Sequence, residues 1–154
     1  MRQMLFGLSI LLSLVGCNSR STPETLVTTG YDEAEMEAAI KKAKSEVNRF
    51  LSELARPTGT MLSVKAPIED NGETEHFWLT DVVYRSGEFE GVIGNEPGVV
   101  GNVKMGQKWK LKKEEISDWM YMRDERMYGN YTMRPLLKTL PPEEADQMRS
   151  MLAE

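Results

Sequence analysis

EHFWLTDVVYRSGEFEGVIGNEP, residues 75–97, is two apolar runs joined at Arg85-Ser86-Gly87-Glu88. In the first run His76, Trp78, Thr80, Val82 and Tyr84 fall on one face, and Phe77, Leu79, Asp81 and Val83 on the other. Apolar residues on both faces predict a central strand. Phe89, Gly91 and Ile93 alternate with Glu90 and Val92, so the second run pairs back as a hairpin. Gly94-Asn95-Glu96-Pro97-Gly98 then ends the pairing in a defined turn, since Gly and Asn accept positive φ and Pro fixes its own.

Upstream, residues 61–66 predict a strand that Pro67 interrupts, an edge strand by that token. Asn71-Gly72 follows as a strong turn signal. Residues 32–55 predict one long helix: Met36, Ile40, Ala43, Val47, Phe50 and Leu54 form a stripe, Asp32 and Glu35 suit a capping box, and Arg56-Pro57 ends it. Downstream, residues 108–112 predict a strand whose Lys108, Lys110 and Lys112 give a solvated edge. Residues 114–122 and 127–134 predict two more strands, the latter with a bulge at Gly129 and a stop at Pro135. Pro141-Pro142 opens a short C-terminal helix with Ala145, Met148 and Leu152 on one face. The expected fold is α+β: a small antiparallel, strongly curved sheet against one long N-terminal helix, with a short C-terminal helix, as a single domain over residues 31–154.

Of 154 residues, 40% are hydrophobic and 28% charged, an ordinary globular balance, and the net charge is -5. That acidity argues against nonspecific nucleic-acid binding, which needs clustered cations facing phosphates. One cysteine forms no internal disulfide, and one histidine supplies no His-rich metal site. Residues 4–15 are an apolar run too short to span a bilayer and of the length of a signal-peptide core. Leu14-Val15-Gly16-Cys17 resembles the lipobox of bacterial lipoproteins. The resemblance implies a signal peptide over residues 1–16, lipidation of Cys17 and anchoring in the cell envelope by several acyl chains. Asn18, in place of an inner-membrane-retaining Asp, implies the periplasmic face of the outer membrane rather than the inner membrane. The plainer alternative is a secretory signal with an incidental cysteine. Residues 17–30 are rich in Ser and Thr and read as a flexible tether.

Several elements then agree in order with one bacterial family. They are Val64-Lys65-Ala66-Pro67, Glu75-His76-Phe77-Trp78-Leu79, Gly91, Asn95, Pro97, Lys104, Gly106, Ile116-Ser117-Asp118-Trp119-Met120-Tyr121, Gly129, Tyr131-Thr132 and Arg134. Over residues 61–134 the chain resembles the YegJ-like domain of unknown function, family 2314. Asn130 departs from the family's second glycine, and residues 98–103 are unusually Gly- and Val-rich. The resemblance implies a small α+β domain and brings no settled activity.

For chemistry, His76 and Asp118 are the acid/base candidates, with Glu75 pointing away from His76 because neighbours on a strand face opposite sides. The plainer reading is a structural hydrogen bond between His76 and Asp118. Ser117 lacks the strand-to-helix elbow of a serine nucleophile. Trp78, Asn95, Pro97, Trp119, Tyr121, Tyr131 and Arg134 form the candidate binding face, weighed against a sheet core with hydrogen-bonded ring tips. The eleven methionines show no tight thioether cluster for Cu(I) and read as core filler. The expectation is a noncatalytic, lipid-tethered envelope module that binds an unidentified protein or small ligand, without cofactor, metal or nucleic acid. The competing expectations are a hydrolase using His76 and Asp118, and an immunity or inhibitor protein against an envelope-acting enzyme.

Overall fold

The computed structural model describes residues 30–154; the leader expected over residues 1–16, Cys17 and the tether up to residue 29 lie outside the described residues. Helices α1 (Glu33–Ser45) and α2 (Val47–Ala55) come first. Strands β1 (Thr60–Asp70), β2 (Glu73–Arg85), β3 (Glu88–Ile93), β4 (Lys108–Lys112), β5 (Asp118–Arg123) and β6 (Arg126–Gly129) follow, then helices α3 (Met133–Leu136) and α4 (Pro142–Met151). The fold is α+β, with one open antiparallel sheet in the order β4-β3-β2-β1-β5-β6.

Two-residue turns join three of the strand pairs, and each needs left-handed backbone at both central residues, the geometry that matches strand twist. Asn71-Gly72 and Ser86-Gly87 supply it as expected, while Asp124-Glu125 does so without glycine. The helix expected over residues 32–55 is interrupted at Glu46 (φ -104°, ψ 7°). Asp32 Oδ1 accepts from Glu35 N at 2.9 Å, so the N-cap forms, while the Glu35 carboxylate that would complete the expected capping box goes to Lys138 instead. Glu46 bonds Tyr131 Oη through its carboxylate, which ties the interruption to the far end of the sheet.

Three expectations for the strands need correcting. β1 is an interior strand, flanked by β2 and β5, and Pro67 pairs with His76 within the ladder. Lys65 O accepts from Ser117 N at 2.9 Å, so odd-numbered positions of β1 direct their backbone polar groups toward β5. Registered pairing with β5 ends at Lys65↔Asp118, and the missing N–H of Pro67 therefore faces no strand. Second, residues 113–115 form a 3-10 turn, its start bonded by Glu115 Oε2 to Lys112 N at 2.8 Å, and the strand begins only at Asp118. Third, β6 stops at Gly129, and Pro135 lies inside α3 rather than after a strand. Gly129 (φ 76°) and Asn130 (φ 46°) turn the chain there.

One face of the sheet packs on α1 and α2. Ala43, Val47 and Phe50 meet Val64, Ala66, Phe77, Leu79, Phe89 and Trp119 in the main core. Trp119 is fully buried, its ring 5.7 Å from Phe50 and 6.1 Å from Tyr121, and its Nε1 donates to Ala43 O at 2.9 Å. Burying an aromatic of this size removes about 150–250 Å² from water, worth about 4–6 kcal/mol, against a net stability of about 5–15 kcal/mol. A smaller cluster, Leu137, Ala145 and Leu152, sits under α4.

A methyl group at Gly129 would lie 2.2 Å from Trp119 O and 2.5 Å from its Cε3, in a backbone conformation that L residues already resist. Gly129→Ala is expected to cost at least about 2 kcal/mol, read as a lower urea midpoint with an unchanged slope. Gly72→Ala also carries a positive φ but meets open space, and should cost about 1–2 kcal/mol.

Candidate functional site

The register divides the expected binding face between the two sides of the sheet. Trp119 and Tyr121 lie on the helix side, 0% and 2% exposed, so neither offers a surface. Tyr131 also belongs to that side, edge-on to Trp119 at 5.7 Å with its hydroxyl on Glu46; that bond, after burial, pushes its pKa up. The Arg134 guanidinium donates to Gly129 O, Asn130 O and Ala153 O at 3.0, 3.2 and 2.8 Å, holding the chain's last turn. Trp78 remains on the opposite side, 9% exposed, and Asn95 Oδ1 accepts from its backbone N at 3.3 Å. Pro97 is half-buried in the following loop.

The acid/base candidates are not paired with each other. Asp118 is fully buried; its Oδ1 accepts from Trp119 N at 2.8 Å, and its Oδ2 from Thr132 N and Oγ1 at 2.8 and 2.7 Å. These bonds make Asp118 the clamp that turns the chain after β6. His76 Nδ1 instead meets Ser117 Oγ at 2.8 Å, and Ser117 Oγ lies 3.3 Å from Lys65 O. Ser117 is 2% exposed, which leaves no approach for a substrate carbonyl. Glu75, on the other face from His76, is buried and accepts from three successive amides: Gly98 at 2.9 Å, Val99 at 2.9 Å and Val100 at 3.2 Å. It pins the Gly- and Val-rich loop, a role that sequence reasoning did not assign.

Lys65 lies between Asp118 and Trp78 across neighbouring strands. Its Nζ stands 4.5 Å from the Trp78 ring centroid and 3.0 Å from Thr132 Oγ1. Burial of the ring's inner edge, then the Lys65 charge, lowers the His76 pKa below the usual 6.5.

An open groove of about 830 Å³ lies where β1 and β2 diverge, bounded at one end by Leu54 of α2 and Pro57. Trp78, Thr80, Met61, Met120, Met127 and Met133 line it, together with Met148 of α4. β1 and β2 pair from Asp70↔Glu73 only as far as Val64↔Leu79; beyond that β1 follows β5 and β2 follows β3. Both strands shift register at this divergence, and Met61 (φ 55°) and Asp81 (φ 51°), two non-glycine residues in left-handed backbone, line the groove. Asn130 also lines it; its Nδ2 lies 3.0 Å from Met127 Sδ, while its buried Oδ1 has no hydrogen-bond partner. The methionines are core filler only in part: Met127, Met133 and Met148 pack against the smaller core cluster and also line the groove. All nine in the described residues keep some exposure, Met61 65% of its surface. They escaped sequence reasoning because β1, β5, β6, α3 and α4 each contribute one to the groove, a convergence with no signature in spacing.

No group of three His, Cys, Asp or Glu side chains that could hold a metal occurs among the described residues, and no helix among them is long and apolar enough to cross a membrane.

Residues 33–152 match the bacterial family described as "Uncharacterized protein conserved in bacteria (DUF2314)". The chain is 51% identical over 152 residues to "Uncharacterized protein YegJ" of Escherichia coli (strain K12), covering 99% of each chain. It is 33% identical over 85 residues to "Putative ankyrin repeat protein NMB1133/NMB1171" of Neisseria meningitidis serogroup B (strain ATCC BAA-335 / MC58), covering 53% of this chain and 34% of that protein. No solved structure matches.

A His76 pKa below its unfolded value of about 6.5 means that the unfolded chain takes the proton first. Stability should be indifferent to this group above about pH 6.5 and should fall as pH drops from there toward the folded pKa. His76→Gln is expected to flatten that part of the profile of urea midpoint against pH. The carboxylate-driven loss near pH 4 should remain.

Proposed function

The chain belongs to the DUF2314 family of bacterial proteins, and for it we propose a noncatalytic binding module, anchored to the cell envelope by lipid on Cys17. The methionine-lined groove around Trp78 carries the reading. Thioether side chains are flexible and polarisable, and they adapt to apolar partners of differing shape. The positive-φ bulges at Met61 and Asp81 are strain of about 1–3 kcal/mol each, of the kind that persists where a surface has a use. Catalysis is disfavoured because Asp118 and Glu75 spend their oxygens on backbone amides and His76 is joined to a buried serine. The occupant is an envelope protein or a small apolar ligand, and an envelope-acting enzyme held by an inhibitor is one form of the former.

The location rests on the leader. Residues 1–16 read as a lipoprotein signal, Cys17 as the acylated residue and Asn18 as compatible with the outer membrane's periplasmic face. Radiolabelled palmitate should enter the wild-type chain and not Cys17→Ala; label that survives the substitution removes the anchor.

The groove is tested by photocrosslinking in cells from position 61. A discrete adduct is expected, reduced about ten-fold or more by Thr80→Arg, an exposed groove position, with the melting temperature unchanged. Adducts indifferent to Thr80→Arg, or equal to those from the hairpin turn at Asn71, would overturn the binding reading.

A further inference from the structure

A second cavity, of about 470 Å³, gathers Arg126, Arg134, Lys138 and Arg149 around Leu137 and Leu152. Four cations in one place are unusual for a chain of net charge -5. Arg126 and Arg134 are held on neutral backbone carbonyls, Arg126 at 3.0 Å from Leu152 O, so those contacts leave their charges uncancelled. Lys138 and Arg149 pair at the surface with Glu35 and Asp146, and Glu154 is the acidic side chain in the lining. Exposed pairs of that kind are worth about 0–1 kcal/mol, little enough for a stronger anion to exchange with them.

The path of the chain gives the cavity a direction. A side-chain carbon at Gly30, the first described residue, would lie 3.7 Å from Thr139 Cγ2, next to Lys138 in the 3-10 turn Leu137–Thr139. Glu35 of α1 meets Lys138 at the same place. Gly30, the residue of the described chain nearest in sequence to Cys17, therefore sits beside the basic cavity. Residues 17 to 30 can be at most about 45 Å apart, by the length of an extended chain.

We infer that the Arg126, Arg134, Lys138 and Arg149 surface docks on the anionic phospholipid headgroups of the bilayer that holds the chain. The inference rests on the proposed anchor at Cys17. Tethering makes docking intramolecular, so contacts too weak for a free protein suffice. Each cation near an anionic surface shifts the balance about five-fold. Neighbouring residues divide between the two cavities: Met127, Met133 and Met148 line the groove, and Arg126, Arg134 and Arg149 line the basic one. Docking by the second thus leaves the first on another side of the same segment, open to a partner.

The test uses the full lipidated chain carrying Ser150→Cys, an exposed position beside Arg149, labelled with a fluorophore and reconstituted into vesicles with nitroxide-headgroup lipid. Quenching is expected in vesicles containing phosphatidylglycerol and not in pure phosphatidylcholine. It should disappear in about 1 M salt, where the Debye length falls to about 3 Å. Lys138→Gln with Arg149→Gln, two surface positions, should lower the ratio of docked to undocked protein about 25-fold with the melting temperature unchanged. Equal quenching in both lipids, or no response to the double substitution, would overturn the inference. Displacement by inorganic phosphate at constant ionic strength would make the cavity a free-phosphate site and overturn the lipid assignment. A chain that floats with vesicles yet is never quenched defeats this inference alone; one that does not float defeats the Cys17 anchor with it.

Discussion

The indole of Trp119 joins everything on the helix side of the sheet. Its N–H takes a carbonyl in the last turn of α1, its ring stacks between Phe50 and Tyr121, and its backbone oxygen and ring edge forbid any side chain at residue 129. The interruption at Glu46 follows α1 directly, and its carboxylate reaches Tyr131, which is edge-on to the same indole. Helix break, glycine and tyrosine are therefore one packing solution. Removing the ring would cost burial comparable to the whole net stability of a small fold.

The uncovered apolar surface lies where β1 and β2 separate. There β1 and β2 part company after Val64↔Leu79, and the bulges at Met61 and Asp81 turn their strands away from one another. Methionines from five elements converge on the space that results. Apolar surface left uncovered works against folding, since it forgoes the burial that drives collapse. A groove of this make-up forgoes burial that a partner would restore, and this is the physical content of the proposed binding role.

Local signals carried most of the fold. Asn71-Gly72 and Ser86-Gly87 specify their hairpins because few other pairs accept two left-handed residues, and the Met36-to-Leu54 stripe specifies the helical layer. Pro67 misled because its effect depends on whether a neighbouring strand extends that far, which is a tertiary fact. Asp118 and Glu75 misled for a related reason. A carboxylate in a sequence shows its charge but not the amides it will meet, and both meet backbone N–H groups from distant segments. Trp119 and Trp78 look alike in sequence; the one-residue alternation of β-structure, read through a register the sequence does not print, sends one into the core and the other to the groove.

Leu152 forms a parallel bridge to Met127, and Ala153 N donates to Met127 O at 2.8 Å, so two residues beyond α4 cover the outer rim of β6. The opposite rim, β4, bears Lys108, Lys110 and Lys112, and two copies meeting there would set lysine against lysine. Were the covering residues to peel away, only one rim would be free to recruit another chain. Growth through a single adhesive edge halts at two copies, whereas fibres require a pair of them. The asymmetry between a latched border and a charged one thus disfavours the pairing of like edges at β4 while leaving the β6 border guarded by its latch.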